Sequence, residues 1–199
     1  RINLHRQFST NTYDWFLWVF DHFKLPPSGQ ILELGCGPGD LWIENAHRIS
    51  AGWDIILSDM SEGMVKRSQK NVTHLKHPFK FALIEAQDIP FPPESFTAII
   101  ANHMLFHVPD QEKALREMRR TLKPGGRVYL STVSENHMSE LPALVTKFDP
   151  TVSNHHKTET VNFTLENGES LLRQWFEKVS CYKQKNYLRI TKVKPLVEY

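Results

Sequence analysis

An α/β fold with a doubly wound, mostly parallel sheet is the architecture this sequence predicts, on three observations. The apolar run Ile31-Leu-Glu-Leu34 passes directly into the glycine-paced turn Gly35-Cys-Gly-Pro-Gly39. Further apolar runs at residues 54–58, 79–84, 95–103 and 127–133 read as strands. Residues 40–49, 61–71 and 111–122 carry helical periodicity between or after them. Strand and helix in alternation give parallel neighbours joined by right-handed crossovers, and in such sheets a ligand lies beyond the carboxyl ends of the strands.

Taken in order, the first element is a helix at residues 13–23, with Phe16, Val19, Phe20 and Phe23 at helical spacing and Trp15 and Trp18 beside that stripe. Such a stripe usually faces a core. In the turn that follows the first strand, Gly35, Gly37 and Gly39 permit sharp reversal and remove the Cβ atoms that would hold a flat ligand off the main chain. The spacing is G-x-G-x-G, where the dinucleotide fingerprint is G-x-G-x-x-G with a phosphate on the helix N-terminus, so a ligand without phosphate suits it better. Asp40 is expected to cap the next helix. Glu33 interrupts an otherwise buried apolar run, which is costly unless the carboxylate is paired, and is assigned to a ligand ammonium, directly or through water. Cys36 reads as a small packed residue, because no activating base accompanies it.

The second strand ends at Asp59-Met60, and a carboxylate there can accept both hydroxyl protons of a ribose. In Ala86-Gln-Asp-Ile-Pro-Phe91, Asp88 follows the third strand with Ile89 beside it, an acid and an apolar side chain suited to an amino group and ring face of adenine. Either carboxylate alone serves equally well as a turn cap; their ordered series favours binding. The fourth strand carries Asn102-His103 at its carboxyl end, with His107 four residues on, and these histidines are the candidates for a base at the active edge. Their i, i+4 spacing lacks the glutamate of the zinc-protease pattern, so no metal is expected. In the helix at 111–122, Ala114, Leu115, Met118 and Leu122 form the buried stripe and Arg116, Arg119 and Arg120 a solvated face. Lys123-Pro-Gly-Gly126 ends it.

These motifs in this order resemble the class I S-adenosylmethionine-dependent methyltransferases, in particular the ubiquinone/menaquinone-biosynthesis type of small-molecule methyltransferase. The resemblance covers residues 30–133 and rests on E-L-G-C-G-P-G, the acid ending strand two, D-I-P-F, A-N-H-M-L-F-H-V and L-K-P-G-G. It implies a seven-stranded-type, Rossmann-like sheet with S-adenosyl-L-methionine as cofactor. The implied contacts are the glycine loop (Gly35, Cys36, Gly37, Gly39) with Glu33 at the methionine part, Asp59 and Met60 at the ribose, Asp88 and Ile89 at adenine, and Asn102 nearby. It also implies a helix before the loop that closes over the cofactor, making residues 1–23 a lid segment with Tyr13 a contact. His103, and less so His107, would face the acceptor as base. The family ends in an antiparallel edge pair; a helix at 168–176 and a strand at 178–187 are expected, with the last strand missing or incomplete.

Composition agrees with a single domain over residues 1–199. The formal net charge of +2 does not demand a polyanionic partner. Lys183, Lys185, Arg189, Lys192 and Lys194 near Tyr182 and Tyr187 are the RNA-like exception, against which a small-molecule acceptor is preferred. Cys36 and Cys181 are too far apart in sequence for a disulfide framework, consistent with a cytoplasmic protein. No apolar run reaches membrane-spanning length and no signal-peptide pattern opens the chain, which begins at Arg1 as a shortened polypeptide would. Residues 134–167, polar and holding His137, His155, His156 and the apolar group Leu141-Pro-Ala-Leu-Val145, are expected to form a substrate cover or a long surface connection. Two rival readings are a nicotinamide oxidoreductase, which shares Asp59 but not the loop spacing, and a cofactor-binding module without catalysis.

Overall fold

The computed structural model describes residues 2–149, 162–192 and 194. Its elements are α1 (Ile2–Phe8), α2 (Trp15–Asp21), β1 (Ser28–Leu34), α3 (Asp40–Glu44), β2 (Gly52–Asp59), α4 (Glu62–Val72), β3 (Lys80–Leu83), β4 (Phe96–Asn102), α5 (Gln111–Thr121), β5 (Leu122–Ser131), α6 (Glu140–Phe148) and α7 (Gly168–Leu172), with 3₁₀ turns at Ala46–Arg48 and Leu105–His107. The five strands form one sheet in the order β3-β2-β1-β4-β5, every neighbouring pair parallel. The strand order reverses between β1 and β4, which puts the expected switch point at their carboxyl ends, directly beside the glycine turn.

Alternate residues of each strand feed two cores. Leu32, Leu34, Ile99 and Ala101 face Ala114, Leu115 and Met118 of α5, while Ile31, Ile55, Leu57, Ala98 and Ile100 face Val19 and Phe20 of α2 and Leu41 and Trp42 of α3. That two-residue period buries the central strands on both sides, which is why they read as continuous apolar runs rather than alternating ones. Two buried polar side chains tie elements of the fold together. Ser58 Oγ donates to the Glu33 carbonyl at 2.6 Å, and Asn45 Nδ2 donates to the carbonyls of Leu41 (2.8 Å) and Phe16 (3.1 Å), joining α3 to α2.

Several expectations need correcting. The helix expected at 13–23 is the second one, α2, running only from Trp15 to Asp21; it begins at Trp15 because Asp14 caps it, its Oδ1 accepting from the amides of Phe16 and Leu17. Asp40 is not a cap: Gly39, left-handed at φ 86°, takes that position without a side-chain bond and Asp40 is the first helical residue. The span expected as one helix at 40–49 breaks at Asn45 into α3 and a 3₁₀ turn. No strand forms at 178–187; the stretch meets the N-terminal segment through separate bonds, among them the Thr10 amide donating to the Tyr187 carbonyl at 2.8 Å and Asn11 Nδ2 to the Lys185 carbonyl at 3.2 Å, with an isolated antiparallel bridge, Ser9 to Leu188, just beyond it. Polar and charged residues alternate there with too few apolar ones to bury a strand face. The apolar group at 141–145 lies within a helix, α6, that buries none of its residues, with Leu144 57 % and Phe148 93 % exposed. His155 and His156, with the rest of residues 150–161, lie outside the described residues.

Candidate active site

Strands β1 to β4 each end at or before candidate groups on the same edge. β1 ends in the turn Gly35-Gly39, whose glycines have φ of 68°, 51° and 86°. At Gly35 a Cβ would stand 2.8 Å from Met104 Cβ, so no larger residue fits beneath the loop, whereas at Gly37 nothing lies within 4 Å and the turn borders open space. The loop is pinned to β2: the Cys36 amide donates to the Ser58 carbonyl at 2.8 Å and the Gly37 amide to Asp59 Oδ2 at 3.1 Å. Asp59 Oδ1 also accepts from the Ser61 amide at 2.9 Å. The turn-cap role leaves room for a ligand at Asp59, since an ionised carboxylate accepts about four hydrogen bonds and these amides take two. Met60, next in sequence, is 74 % exposed.

Beneath the loop, Glu33 is 2 % exposed and its Oε2 accepts from Trp42 Nε1 at 2.6 Å. Burial lifts its pKa to about 7, outweighing the indole bond. Among the described residues, the hydrogen bond this buried acid accepts comes from a neutral donor rather than from the cation it was expected to need. The Cys36 thiol is driven up to about 12, by burial first and by neighbouring Glu33 second, which removes it as a nucleophile near neutral pH.

Beyond β3, Asp88 is exposed on a tight turn in which its amide donates to the Glu85 carbonyl at 3.0 Å. Ile89 is buried at 1 % exposure, its amide held by Glu117 Oε2 at 3.0 Å and its carbonyl by Arg120 Nη2 at 2.9 Å. Arg120 is therefore not on a free solvated face as its helical position suggests; i, i+3 pairing with Glu117 turns it toward the 88–91 turn.

At the end of β4, Asn102 Nδ2 is buried with no partner among the described residues. His103 sits at φ 49°, uncommon for a residue with a Cβ, held there as its amide donates to both the carbonyl (3.2 Å) and Oγ (3.1 Å) of Ser131. Its ring lies 4.9 Å from that of Trp15, whose Nε1 is likewise buried without a partner, and 6.3 Å from Phe106. Burial, then His137 and His5, press its pKa down to about 4. His5 and His137 stack with centroids 6.0 Å apart, bringing α1 and the segment after β5 to this corner. His107 is exposed and touches Phe106 rather than His103, so the two histidines are not brought together. Tyr13, just before the cap of α2, is also apart: its hydroxyl donates to Asp21 Oδ2 at 2.5 Å at the far end of that helix. Trp15 is the residue by which α2 reaches the edge. Among the described residues, no group of three His, Cys, Asp or Glu is placed to hold a metal.

Because burial lowers the His103 pKa, the folded state favours the neutral ring. Its stabilising contribution is intact above the unfolded value near 6.5 and is lost as pH falls toward 4, up to about 3 kcal/mol for this shift. His103→Phe, which keeps a ring against Trp15, is expected to flatten the fall in urea midpoint over that window. An unaltered pH profile would place the burial penalty elsewhere.

Comparison with known proteins bears on this geometry. Residues 32–130 match a family described as a methyltransferase domain. The ubiquinone/menaquinone biosynthesis C-methyltransferase UbiE of Methylococcus capsulatus is 36 % identical over 110 residues, covering 54 % of this chain and 44 % of that protein; the chain spans about half the length of the curated relatives it matches. Among solved structures, a SAM-dependent methyltransferase from Methanosarcina mazei superposes with a TM-score of 0.54 at 23 % identity, over 68 % of this chain and 66 % of that one. The cyclase SpnF superposes with a TM-score of 0.54 at 24 % identity, over 62 % of this chain and 48 % of that one. Both likenesses establish the fold alone.

Proposed function

We propose, for a chain that belongs through residues 32–130 to the S-adenosylmethionine-dependent methyltransferases, that it transfers the cofactor's methyl group to a nucleophilic atom of a small-molecule acceptor. The observation that carries this reading is the placement of the glycine turn, Glu33, Asp59, Asp88 and Asn102 on one edge of the sheet, with the aromatic corner of Trp15, His103 and Phe106 beside them. The residues fit the cofactor in kind: a buried acid with a neutral donor, open space over Gly37, an amide donor without a partner among the described residues and a carboxylate at the end of β2.

When bound, S-adenosylmethionine would supply an activated methyl on a sulfonium, which passes directly to the acceptor's nucleophilic atom as the thioether leaves. The protein's task is then alignment, worth up to about 7 to 11 kcal/mol in well-oriented reactions. Glu33 would receive the ammonium, Asp59 the ribose hydroxyls and Asp88 the adenine amino group, and the backbone of residues 35–39 would lie against the methionine part. Met60 and Ile89 border the nucleoside, and Tyr13 belongs to the lid segment. His103 stands on the acceptor side. A ring with a pKa near 4 is neutral at physiological pH and a weak base, so orienting an acceptor hydroxyl suits it better than stripping a proton from a weak acid; His107 is the lesser candidate.

The UbiE relatives support an acceptor of quinone type methylated at carbon, and the aromatic corner would stack on a flat ring. No helix of the described residues is long and apolar enough to cross a membrane. The basic stretch weighed for RNA forms no strand, and Tyr182 rests on His22 with centroids 4.3 Å apart.

The experiment is transfer of labelled methyl from S-adenosylmethionine to a panel of phenols, quinols and RNA. Incorporation into a small aromatic is expected. Incorporation into RNA, with submicromolar affinity that falls steeply with salt, would contradict the small-molecule reading. Tight binding with no transfer to any acceptor would favour the binding module, and preferential binding of a nicotinamide cofactor the oxidoreductase.

A further inference from the structure

Glu117 and Arg120, one turn apart on α5, hold the turn after β3 from behind. Arg120 Nη2 donates to the Ile89 carbonyl at 2.9 Å and Nη1 to the Phe91 carbonyl at 2.8 Å. Its Nε and Nη2 also grip Glu117 Oε1 and Oε2 at 2.7 and 2.6 Å, while Glu117 Oε2 accepts the Ile89 amide at 3.0 Å. The Arg120 carbonyl in turn accepts the Glu94 amide at 3.0 Å. Residues 89–94 have no strand or helix of their own, so this ion pair satisfies backbone groups that regular structure would otherwise pair. Ile89 is the anchor, its side chain buried and both its backbone polar groups bound to the pair. Asp88 is the next residue along, and its position follows from that of Ile89.

We propose that Glu117 and Arg120 are positioning residues for cofactor recognition: they set the 88–91 turn so that Asp88 meets the adenine amino group, and thereby determine selectivity for adenine over other purines. The proposal rests on the reading that Asp88 faces adenine. Arg120 is suited to the task because its planar fork serves two carbonyls and a carboxylate at once, which a lysine cannot do.

The test measures affinities for S-adenosylhomocysteine and S-inosylhomocysteine, which carries a carbonyl where adenine has its amino group, by calorimetry on the full chain. In the wild type the adenosyl ligand is expected to bind about tenfold or more tightly. Asp88→Ala should abolish that preference. Arg120→Ala and Glu117→Gln should shrink it several-fold, Arg120→Lys should fall between, and Arg120→Ala should add little in an Asp88→Ala background. A purely structural role would lower thermal stability and leave the preference intact. If Arg120→Ala does not fold, the Lys and Gln variants report the same ratio. A preference unchanged in Arg120→Lys, Glu117→Gln and any folded Arg120→Ala, with Asp88→Ala losing it, overturns the positioning role. A wild type that does not distinguish the two ligands overturns the adenine reading instead, and the proposal with it.

Discussion

Asp59→Ala is expected to weaken S-adenosylhomocysteine binding by about 1 to 3 kcal/mol, a loss of roughly five- to two-hundredfold. Two effects act in the same direction. The variant lacks the acceptor for the ribose hydroxyls, and it releases the Gly37 amide from Oδ2, the bond that fixes the turn against β2. Asp59→Asn separates them, because its single amide oxygen can retain one of the backbone bonds while losing charge and half of its acceptor capacity. It should fall between the wild type and Asp59→Ala in calorimetry. Equal affinity for all three proteins would remove Asp59 from the binding site and leave it the turn cap that its Ser61 bond already makes it.

Glu33 yields the second large effect, and it is a pH effect. Burial raises the carboxyl pKa to about 7, so the folded protein favours the protonated acid. Its contribution to stability is present below the unfolded value near 4.5 and is lost as pH rises through 7. A bound ammonium reverses the preference by favouring the anion. Cofactor affinity should therefore climb as pH rises toward 7, level off, and fall again above about 8 as the ligand amine loses its proton. Binding at pH 6 should release most of one proton, measurable by calorimetry in buffers of different ionisation heat. Glu33→Gln should abolish the release and cost about 1.5 to 3 kcal/mol of affinity at pH 8, as expected for a hydrogen bond to a charged group. Proton release unchanged in Glu33→Gln would assign the titration to another group.

The sequence made the sheet legible because parallel strands buried on both faces leave continuous apolar runs: Ile55, Ile56 and Leu57 feed opposite cores yet all read as strand. The glycine turn was legible for a related reason, since its positive φ angles admit few other residues. The positions of Asp59 at the end of β2 and of Asp88 in the turn beyond β3 were legible from the strand pattern. The orientation of side chains was not legible. Arg120 reads by helical period as solvated, and only the tertiary fold brings Ile89 and Phe91 within its reach. Trp15 reads as part of a packing stripe, yet it meets His103 because α2 crosses the edge where β4 ends. The signal that points to Glu117 and Arg120 is their i, i+3 opposite charges at partly buried positions, a pattern too common on helices to stand out alone. Beyond β5 the apolar periodicity fails, and the expected edge strand at 178–187 failed with it because no two-residue alternation supports one.

The most direct test of the account is a crystal structure of the protein with S-adenosylhomocysteine. The ligand is expected along the carboxyl edge of the sheet, its ribose hydroxyls on Asp59, its adenine against Asp88 and Ile89, its ammonium at Glu33, and its sulfur facing the corner of Trp15 and His103. A ligand seated elsewhere, or at this edge with its ribose away from Asp59, would contradict the assignment of the site.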